Sequence, residues 1–354
     1  MAYLTINNVF VRGVSACVPS NKVDNCQSDL FESEDERDKY IQSTGVKSRR
    51  VASHNCCSSD LCLKAAEKLI DELNWTRDDI DACIFVSQTN DYIYPATSCI
   101  LQQKLGLSNE CMCMDVSMGC PGWVYGMSTL FSLMSTGQIK KGLLLVGETV
   151  SKTRSPFDRV NMITGDAGTC TALQFDPNNN TSSTHFALFT DGAGADAIII
   201  PDGGYRNPTT AESLVYKEGV DGVLRNGLQT HMDGAAVFSF AINKVPKCIN
   251  GLMNEFHIDK SSIDYFLLHQ ANLMINKKIM KKLALDENHC PNNLTEFGNT
   301  SSTAIPLLIV HKLRDKLKNK KLIACGFGVG LSWAAVYFET DENIVIPKLI
   351  EYDL

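Results

Sequence analysis

No stretch of the chain approaches the roughly 18 uninterrupted apolar residues that a membrane-spanning helix needs. The N-terminus lacks the apolar core of a secretory signal as well, because residues 1–16 alternate apolar and polar with Asn7, Asn8 and Arg12 among them. It reads as the first strand of a cytosolic protein. Positive charge is also in short supply: a formal net charge of −7 argues against general binding to nucleic acid or to an anionic membrane. The 14 cysteines include no CxxC pair, and Cys111-Met112-Cys113 places two thiols on one face of a strand, too few for a zinc site. Without a secretory signal they are expected to be free and mostly buried, neither disulfide-linked nor holding metal.

What the chain does have is repetition. Gly119-Cys120 and Gly298-Asn299 each stand at the mouth of an apolar, helix-like run, and they lie 179 positions apart (299 − 120). Leu143-Leu144-Leu145-Val146-Gly147 and Leu322-Ile323-Ala324-Cys325-Gly326 keep the same offset, and the stretch from Ile80 to Asn90 resembles that from Ile263 to Asn272 at nearly the same one. A chain of 354 residues with 44% apolar and 21% charged residues can bury a large core in two units. Two equivalent halves, 1–178 and 179–354, are the natural division.

Hydrophobic periodicity gives each half the same order. In the first, Ser58-Ser59-Asp60 can cap a helix with Leu61, Ala65, Leu69 and Leu73 on one face. Strand Ala82 to Val86, helix Ser98 to Leu105, strand Cys111 to Val116, helix Pro121 to Met134 and the wholly apolar strand Gly142 to Val146 follow. After a polar connection from Pro177 to Thr184, a long helix from about Ala235 to Glu255 precedes the strand Tyr265 to Leu268. Asn299 opens a helix to about Lys316, and Leu322 to Cys325 and Trp333 to Phe338 read as strands. Strands apolar on both faces predict mainly parallel sheets covered by helices. Two such halves in one chain predict a duplicated α/β fold of five layers, α-β-α-β-α.

Cys120 is the leading nucleophile candidate. It follows a strand and opens a helix at which Pro121 takes the first position, where its missing N–H is harmless, and the helix dipole with free N–H groups there favours a thiolate. His269 ends the apolar strand Tyr265-Phe266-Leu267-Leu268, and sites collect at such strand ends in α/β sheets. Cys120, His269 and Asn299 are expected on one edge. The glycines of Gly326-Phe327-Gly328-Val329-Gly330 do not make a dinucleotide fingerprint, since a strand rather than a helix follows them; Gly165-Asp166-Ala167-Gly168 reads as a structural turn for the same reason.

Met118-Gly119-Cys120-Pro121-Gly122, Leu268-His269-Gln270-Ala271-Asn272, Phe297-Gly298-Asn299-Thr300-Ser301-Ser302 and Gly326-Phe327-Gly328-Val329-Gly330-Leu331-Ser332-Trp333 stand in order over both halves. In these motifs the chain resembles the β-ketoacyl-acyl-carrier-protein synthase III family, of the thiolase fold. The resemblance implies acylation of Cys120 by a thioester, an oxyanion held by the backbone N–H groups of Cys120 and Val329, and His269 and Asn299 donating to the carbonyl of a malonyl thioester as carbon dioxide leaves. It implies no bound cofactor or metal, with the acyl group arriving on coenzyme A or on the phosphopantetheine of an acyl carrier protein. Asn272 belongs to the family's substrate-binding set, Tyr94 before Pro95 to an aromatic that crosses a homodimer interface and closes a short acyl pocket, and Arg159 to contacts with the nucleotide end of coenzyme A.

Departures from the family bear on the substrate. Lys39 (or Tyr40) and Ser43 replace the Trp and Arg partners of Arg159, so an adenine clamp loses its stacking face. Met274 and Ser239 stand where relatives carry Arg and Lys, while Lys277, Lys278, Lys281 and Lys282 share one helix face that suits an acidic carrier protein. The basic run His311 to Lys321 reads as an exposed helix. The expected activity is decarboxylative condensation of a short acyl thioester with malonyl carrier protein. Transfer of the acyl group to an alcohol, amine or sugar, without decarboxylation, is the alternative; a silent partner subunit is at odds with an intact Cys-His-Asn set.

Overall fold

The computed structural model describes residues 2–178 and 183–352; residues 179–182, inside the connection from Pro177 to Thr184, lie outside the described residues, as do 1, 353 and 354. Eleven strands make two central sheets: β1 (Ala2–Asn7), β2 (Val9–Pro19), β3 (Ala82–Val86), β4 (Met112–Val116), β5 (Lys141–Glu148), β6 (Ala167–Phe175), β7 (Ser183–Thr190), β8 (Tyr265–Leu268), β9 (Lys321–Gly328), β10 (Ser332–Glu339) and β11 (Ile350–Tyr352). The first sheet runs β11-β2-β6-β5-β3-β4 and the second β1-β7-β10-β9-β8. The duplication is visible in this order. Strands β2-β6-β5-β3 match β7-β10-β9-β8 neighbour for neighbour, with one parallel pair, β3 with β5 and β8 with β9, and two antiparallel pairs in each set.

Both sheets are mixed, which corrects the expectation of mainly parallel ones. A parallel neighbour needs a long crossover, usually a helix. Only 3-10 turns lie between Glu148 and Ala167, and only Val329 to Leu331 between β9 and β10, so the chain returns antiparallel in both places. The terminal strands also cross between halves. β1 pairs with β7 in the second sheet and β11 with β2 in the first, so residues from each half complete the other's sheet.

Among the described residues six helices build the remaining layers, α1 (Ser58–Glu72), α2 (Thr97–Leu105), α3 (Gly122–Met134), α4 (Gly234–Glu255), α5 (Leu273–Leu283) and α6 (Ala304–Leu313), and a further helix, Glu34–Thr44, lies beside α5. α1 and α2 cover the outside of the first sheet, α4 with α5 the outside of the second, and α3 and α6 lie between the sheets. The chemistry of each helix fits its layer. α3 buries Trp123, Val124, Met127, Leu130, Phe131 and Met134 completely, as a helix pressed between two apolar sheets must. Phe131 meets Phe186 of the second sheet edge to face at 5.5 Å, and truncating it to Ala would remove about 3–5 kcal/mol. α1 is one-sided, burying Leu61, Ala65 and Leu69, and Cys57 rather than a serine forms its cap, with Asp60 accepting from the Cys57 N–H at 2.9 Å. α6 ends at Leu313, so the basic run beyond it is an exposed turn rather than helix. No helix among the described residues is long and apolar enough to cross a membrane.

Candidate active site

Cys120 stands between the end of β4 and α3. Pro121 is the cap of that helix and Gly122 its first residue, one position later than the spacing suggests. The sulfur meets the end of β9, where a Cβ on Gly328 would lie 2.6 Å from Sγ; only glycine lets the backbone approach so closely. The backbone N–H groups of Val329 and of Cys120 itself are near enough to the thiol to pull its pKa down. Burial nevertheless pushes the Cys120 pKa up, against the opposing pull of Ser301, the two N–H groups and Arg154. The thiolate expected from the helix mouth is therefore not the resting form: desolvation outweighs the dipole.

His269 leaves β8 with its N–H donating to the Cys325 carbonyl at 2.9 Å, and Asn276 donates to the His269 carbonyl at 3.2 Å. Its ring packs edge to face on Phe327, 5.3 Å between centroids. Burial lowers its pKa to about 3, with the Ser301 backbone opposing. A neutral imidazole is the result, able to donate one hydrogen bond. Nδ1 is enclosed and has no partner among the described residues.

Asn299 is fixed by its backbone and by its amide oxygen. Its N–H donates to the Ile163 carbonyl at 2.7 Å, and the Gly165 N–H donates to the Asn299 carbonyl at 3.0 Å. Gly298 adopts φ +64, and a Cβ there would come within 2.5 Å of the Ile163 oxygen. The Ser301 N–H donates to Asn299 Oδ1 at 2.9 Å, which turns the amide's two N–H donors the other way. The Gly165-Asp166 turn is thus structural and also a clamp on Asn299, with Asp166 itself accepting from Ala52 and Ser151.

Behind Cys120 lies a residue that the motifs did not point to. Glu148, at the end of β5, is fully buried and accepts from Ser302 Oγ at 2.9 Å, Thr89 Oγ1 at 3.1 Å, Ser301 Oγ at 3.3 Å and the Gln88 N–H at 3.3 Å. Burial raises its pKa to about 7 in spite of these bonds, and Cys120 adds to the rise. An acid closing an otherwise apolar strand is the signal that could have found it.

Cys120, His269, Asn299, Ser301 and Val329 line one cavity of about 650 Å³, walled on its far side by Ile198, Met232 and Val237. The other candidates lie elsewhere. Asn272 is not among its lining residues; it caps α5, accepting from the Ile275 N–H at 2.8 Å, and Ala271 lines the cavity beside His269. Tyr94 is 81% exposed and borders a neighbouring open cleft that shares Gln88, Thr89, Asn90 and Thr153 with the cavity. Arg159 is on the surface, paired with Glu36 at 2.9 Å and stacked over Phe31 at 4.5 Å. An aromatic ring beside Arg159 comes from Phe31, upstream of Lys39 and Ser43, and it stacks on the guanidinium itself. Lys277, Lys278, Lys281 and Lys282 are all exposed on α5 next to the half-exposed Met274.

Residues 114–192 match the family model of 3-oxoacyl-(acyl-carrier-protein) synthase III, and residues 253–340 match the model of that family's C-terminal part. Over 311 residues the chain is 34% identical to the β-ketoacyl-acyl-carrier-protein synthase III of Streptococcus agalactiae, covering 85% of this chain and 90% of that protein. The enzyme of the same description from Streptococcus sanguinis is 31% identical over 340 residues, 94% of this chain and 99% of its own. Among solved structures, the 3-oxoacyl-(acyl-carrier protein) synthase of Burkholderia xenovorans LB400 superposes with a TM-score of 0.92 at 39% identity, over 99% of both chains.

Proposed function

The chain belongs to the β-ketoacyl-acyl-carrier-protein synthase III family, and on that premise we propose that its cavity carries out a decarboxylative condensation through an acyl group on Cys120. The observation that carries this reading is the gathering of Cys120, a neutral His269 and the outward amide of Asn299 in one cavity. In the first half-reaction Sγ bonds to the carbonyl carbon of an acyl thioester, while the N–H groups of Cys120 and Val329 hold the oxyanion. The thioester C–S bond then breaks and the carrier thiol leaves with the cysteine's proton. In the second, His269 and Asn299 donate to the thioester carbonyl of a malonyl group. Its carboxylate C–C bond breaks, carbon dioxide departs, and the electron pair becomes an enolate held by those two donors. The enolate carbon attacks the acyl-cysteine, the C–S bond to Cys120 breaks, and a β-ketoacyl thioester is released.

Simple acyl transfer to an alcohol or amine gives His269 and Asn299 no such task, because no enolate forms. The two readings part in one experiment. Intact-mass spectra of protein treated with a panel of acyl thioesters should show a Cys120 adduct, and adding malonyl-acyl carrier protein should discharge it with release of carbon dioxide. An adduct that discharges to alcohols or amines with no carbon dioxide would replace condensation with transfer.

The partners belong to the same proposal. The lysines of α5 offer positive charge to an acidic carrier protein, and the Arg159–Phe31 stack offers a place for the donor's nucleotide. A homodimer through the N-terminal half is supported by β4, which ends its sheet, with Met114 on that edge and Tyr92, Ile93 and Tyr94 exposed. A second copy there would cover these side chains. A cytoplasmic setting fits the free thiols.

A further inference from the structure

Arg154 shares the cavity with Cys120 and has no task in the condensation described above. It follows the short turn Val150–Thr153, and its Nε and Nη1 are enclosed with no acceptor among the described residues. The acidic side chains that could neutralise it are turned elsewhere. Asp158 accepts from Arg225 at 2.9 and 2.6 Å, an ion pair that is itself buried. Glu148 is bonded to the hydroxyls behind Cys120, and Asp202, the carboxylate that lines the cavity, packs its Oδ2 against Gly227 and forms no ion pair with Arg154 among the described residues. Burial pulls the Arg154 pKa down while Cys120, when ionised, and Asp158 hold it up; an arginine stays cationic in either case. Around it the lining is polar, with Asn90, Thr230 and Thr153, whose hydroxyls lie 3.0 Å apart.

A guanidinium with two of its nitrogens left without acceptors beside a nucleophile is an unfavourable arrangement unless a ligand completes it. We propose that Arg154 is a binding residue for the acyl group, and that the preferred donors are short dicarboxylic half-thioesters whose free carboxylate it holds. This rests on the acyl-cysteine reading above. A guanidinium presents two parallel N–H donors that match a carboxylate, which a lysine or hydroxyl does not. The malonyl carboxylate is the wrong occupant, because its charge must vanish as carbon dioxide forms and an arginine on it would stabilise the ground state instead of the transition state. Acylation then runs as for any thioester: Sγ bonds to the carbonyl carbon, the donor C–S bond breaks, the thiol leaves, and the distal carboxylate stays ionised on Arg154.

The test is the rate of Cys120 acylation, followed by intact mass, for succinyl and glutaryl thioesters against their neutral counterparts butyryl and valeryl, each on coenzyme A and on an acyl carrier protein. A charge-assisted hydrogen bond predicts that the wild-type protein takes the carboxylated donors at least about tenfold faster. Arg154→Gln should erase that preference and Arg154→Lys should restore part of it. A wild-type preference for the neutral chains overturns the proposal whatever the variants do. So does an equal loss for all donors in Arg154→Gln, which would leave the guanidinium acting only on the thiol. If neutral donors load Cys120 and go on to release carbon dioxide from malonyl carrier protein, the condensation stands even where the dicarboxylic preference fails; no adduct from any donor removes both.

Discussion

The hydroxyl of Ser301 stands between Cys120 and Glu148: its Oγ lies 3.9 Å from the sulfur and donates to Glu148 Oε1 at 3.3 Å. The proposed nucleophile is therefore one hydroxyl away from a buried carboxyl whose pKa is raised to about 7. Because burial keeps Cys120 protonated, its proton must leave as the acyl bond forms. His269 is proposed as a donor to the malonyl carbonyl, and Glu148 is the acceptor that the Ser301 hydroxyl reaches.

The single-turnover rate of Cys120 acylation should rise with pH through about 7, as Glu148 ionises, in the wild-type protein. Glu148→Gln cannot take the proton, so that inflection should disappear and the rate at pH 8 should drop by about a hundredfold. Ser301→Ala breaks the same path at its middle and should do likewise. An inflection near 7 that survives in Glu148→Gln would show that another group takes the proton.

The same two buried groups set opposite pH limits on stability. Glu148 is protonated below its unfolded pKa of 4.5 in either state; from there through the folded value of about 7 the native carboxyl binds the proton more tightly, so stability declines by about 3 kcal/mol as pH rises. His269 acts in the other direction. The unfolded imidazole takes a proton below 6.5 and the folded one only near 3, so about 5 kcal/mol is lost as pH falls between those values. Between 4.5 and 6.5 the two slopes cancel. Glu148→Gln should remove the alkaline decline, moving the difference between variant and wild type by about 3 kcal/mol in the variant's favour from pH 4.5 to 8, read from denaturant midpoints. Parallel curves for the two proteins would contradict the assignment.

Much of this architecture is legible along the chain, because periodicity and the placing of glycines are local properties. The strands Ala82–Val86 and Tyr265–Leu268 and the helix ending at Glu255 follow from their residues alone. The return of β6 and β10 as antiparallel strands is not, since nothing in an apolar strand states its partner's direction. The surroundings of Glu148 are illegible for a similar reason: its hydroxyl partners come from 59 to 154 positions away, and only the fold assembles them. Phe31 reaches Arg159 across a separation that spacing does not encode, whereas the Asn272 cap on the Ile275 N–H is a local contact that an Asn before a helix signals. The Cys120 pKa depends on a balance of burial against dipoles, and only the burial of the folded chain decides its sign.

Asn299→Asp separates the half-reactions. An aspartate keeps the oxygen that accepts from the Ser301 N–H and loses the outward N–H donors, placing negative charge where the enolate oxygen develops. Carbon dioxide release from malonyl carrier protein should fall by about 10² to 10³, as for the loss of one oxyanion donor. Loading of Cys120 should change far less. Equal losses in the mass-spectrometric loading rate and in carbon dioxide release would reject the role given to the amide.

The lysine face of α5 makes a prediction about affinity rather than chemistry. Lys277, Lys278, Lys281 and Lys282 are exposed, and the opposite face of the helix is tied down by the buried Ile275, Ile279 and Leu283. Reversing Lys277 and Lys281 to Glu therefore leaves the packing intact. Exposed pairs contribute about 0.2–1 kcal/mol each, so two reversals should raise KM for malonyl-acyl carrier protein by about twofold to thirtyfold, with kcat unchanged. The effect should shrink in high salt, where surface charges are screened. The corresponding small malonyl thioester, which has no acidic surface, should be turned over by variant and wild type alike. If KM for the carrier protein does not move, the carrier docks on another face.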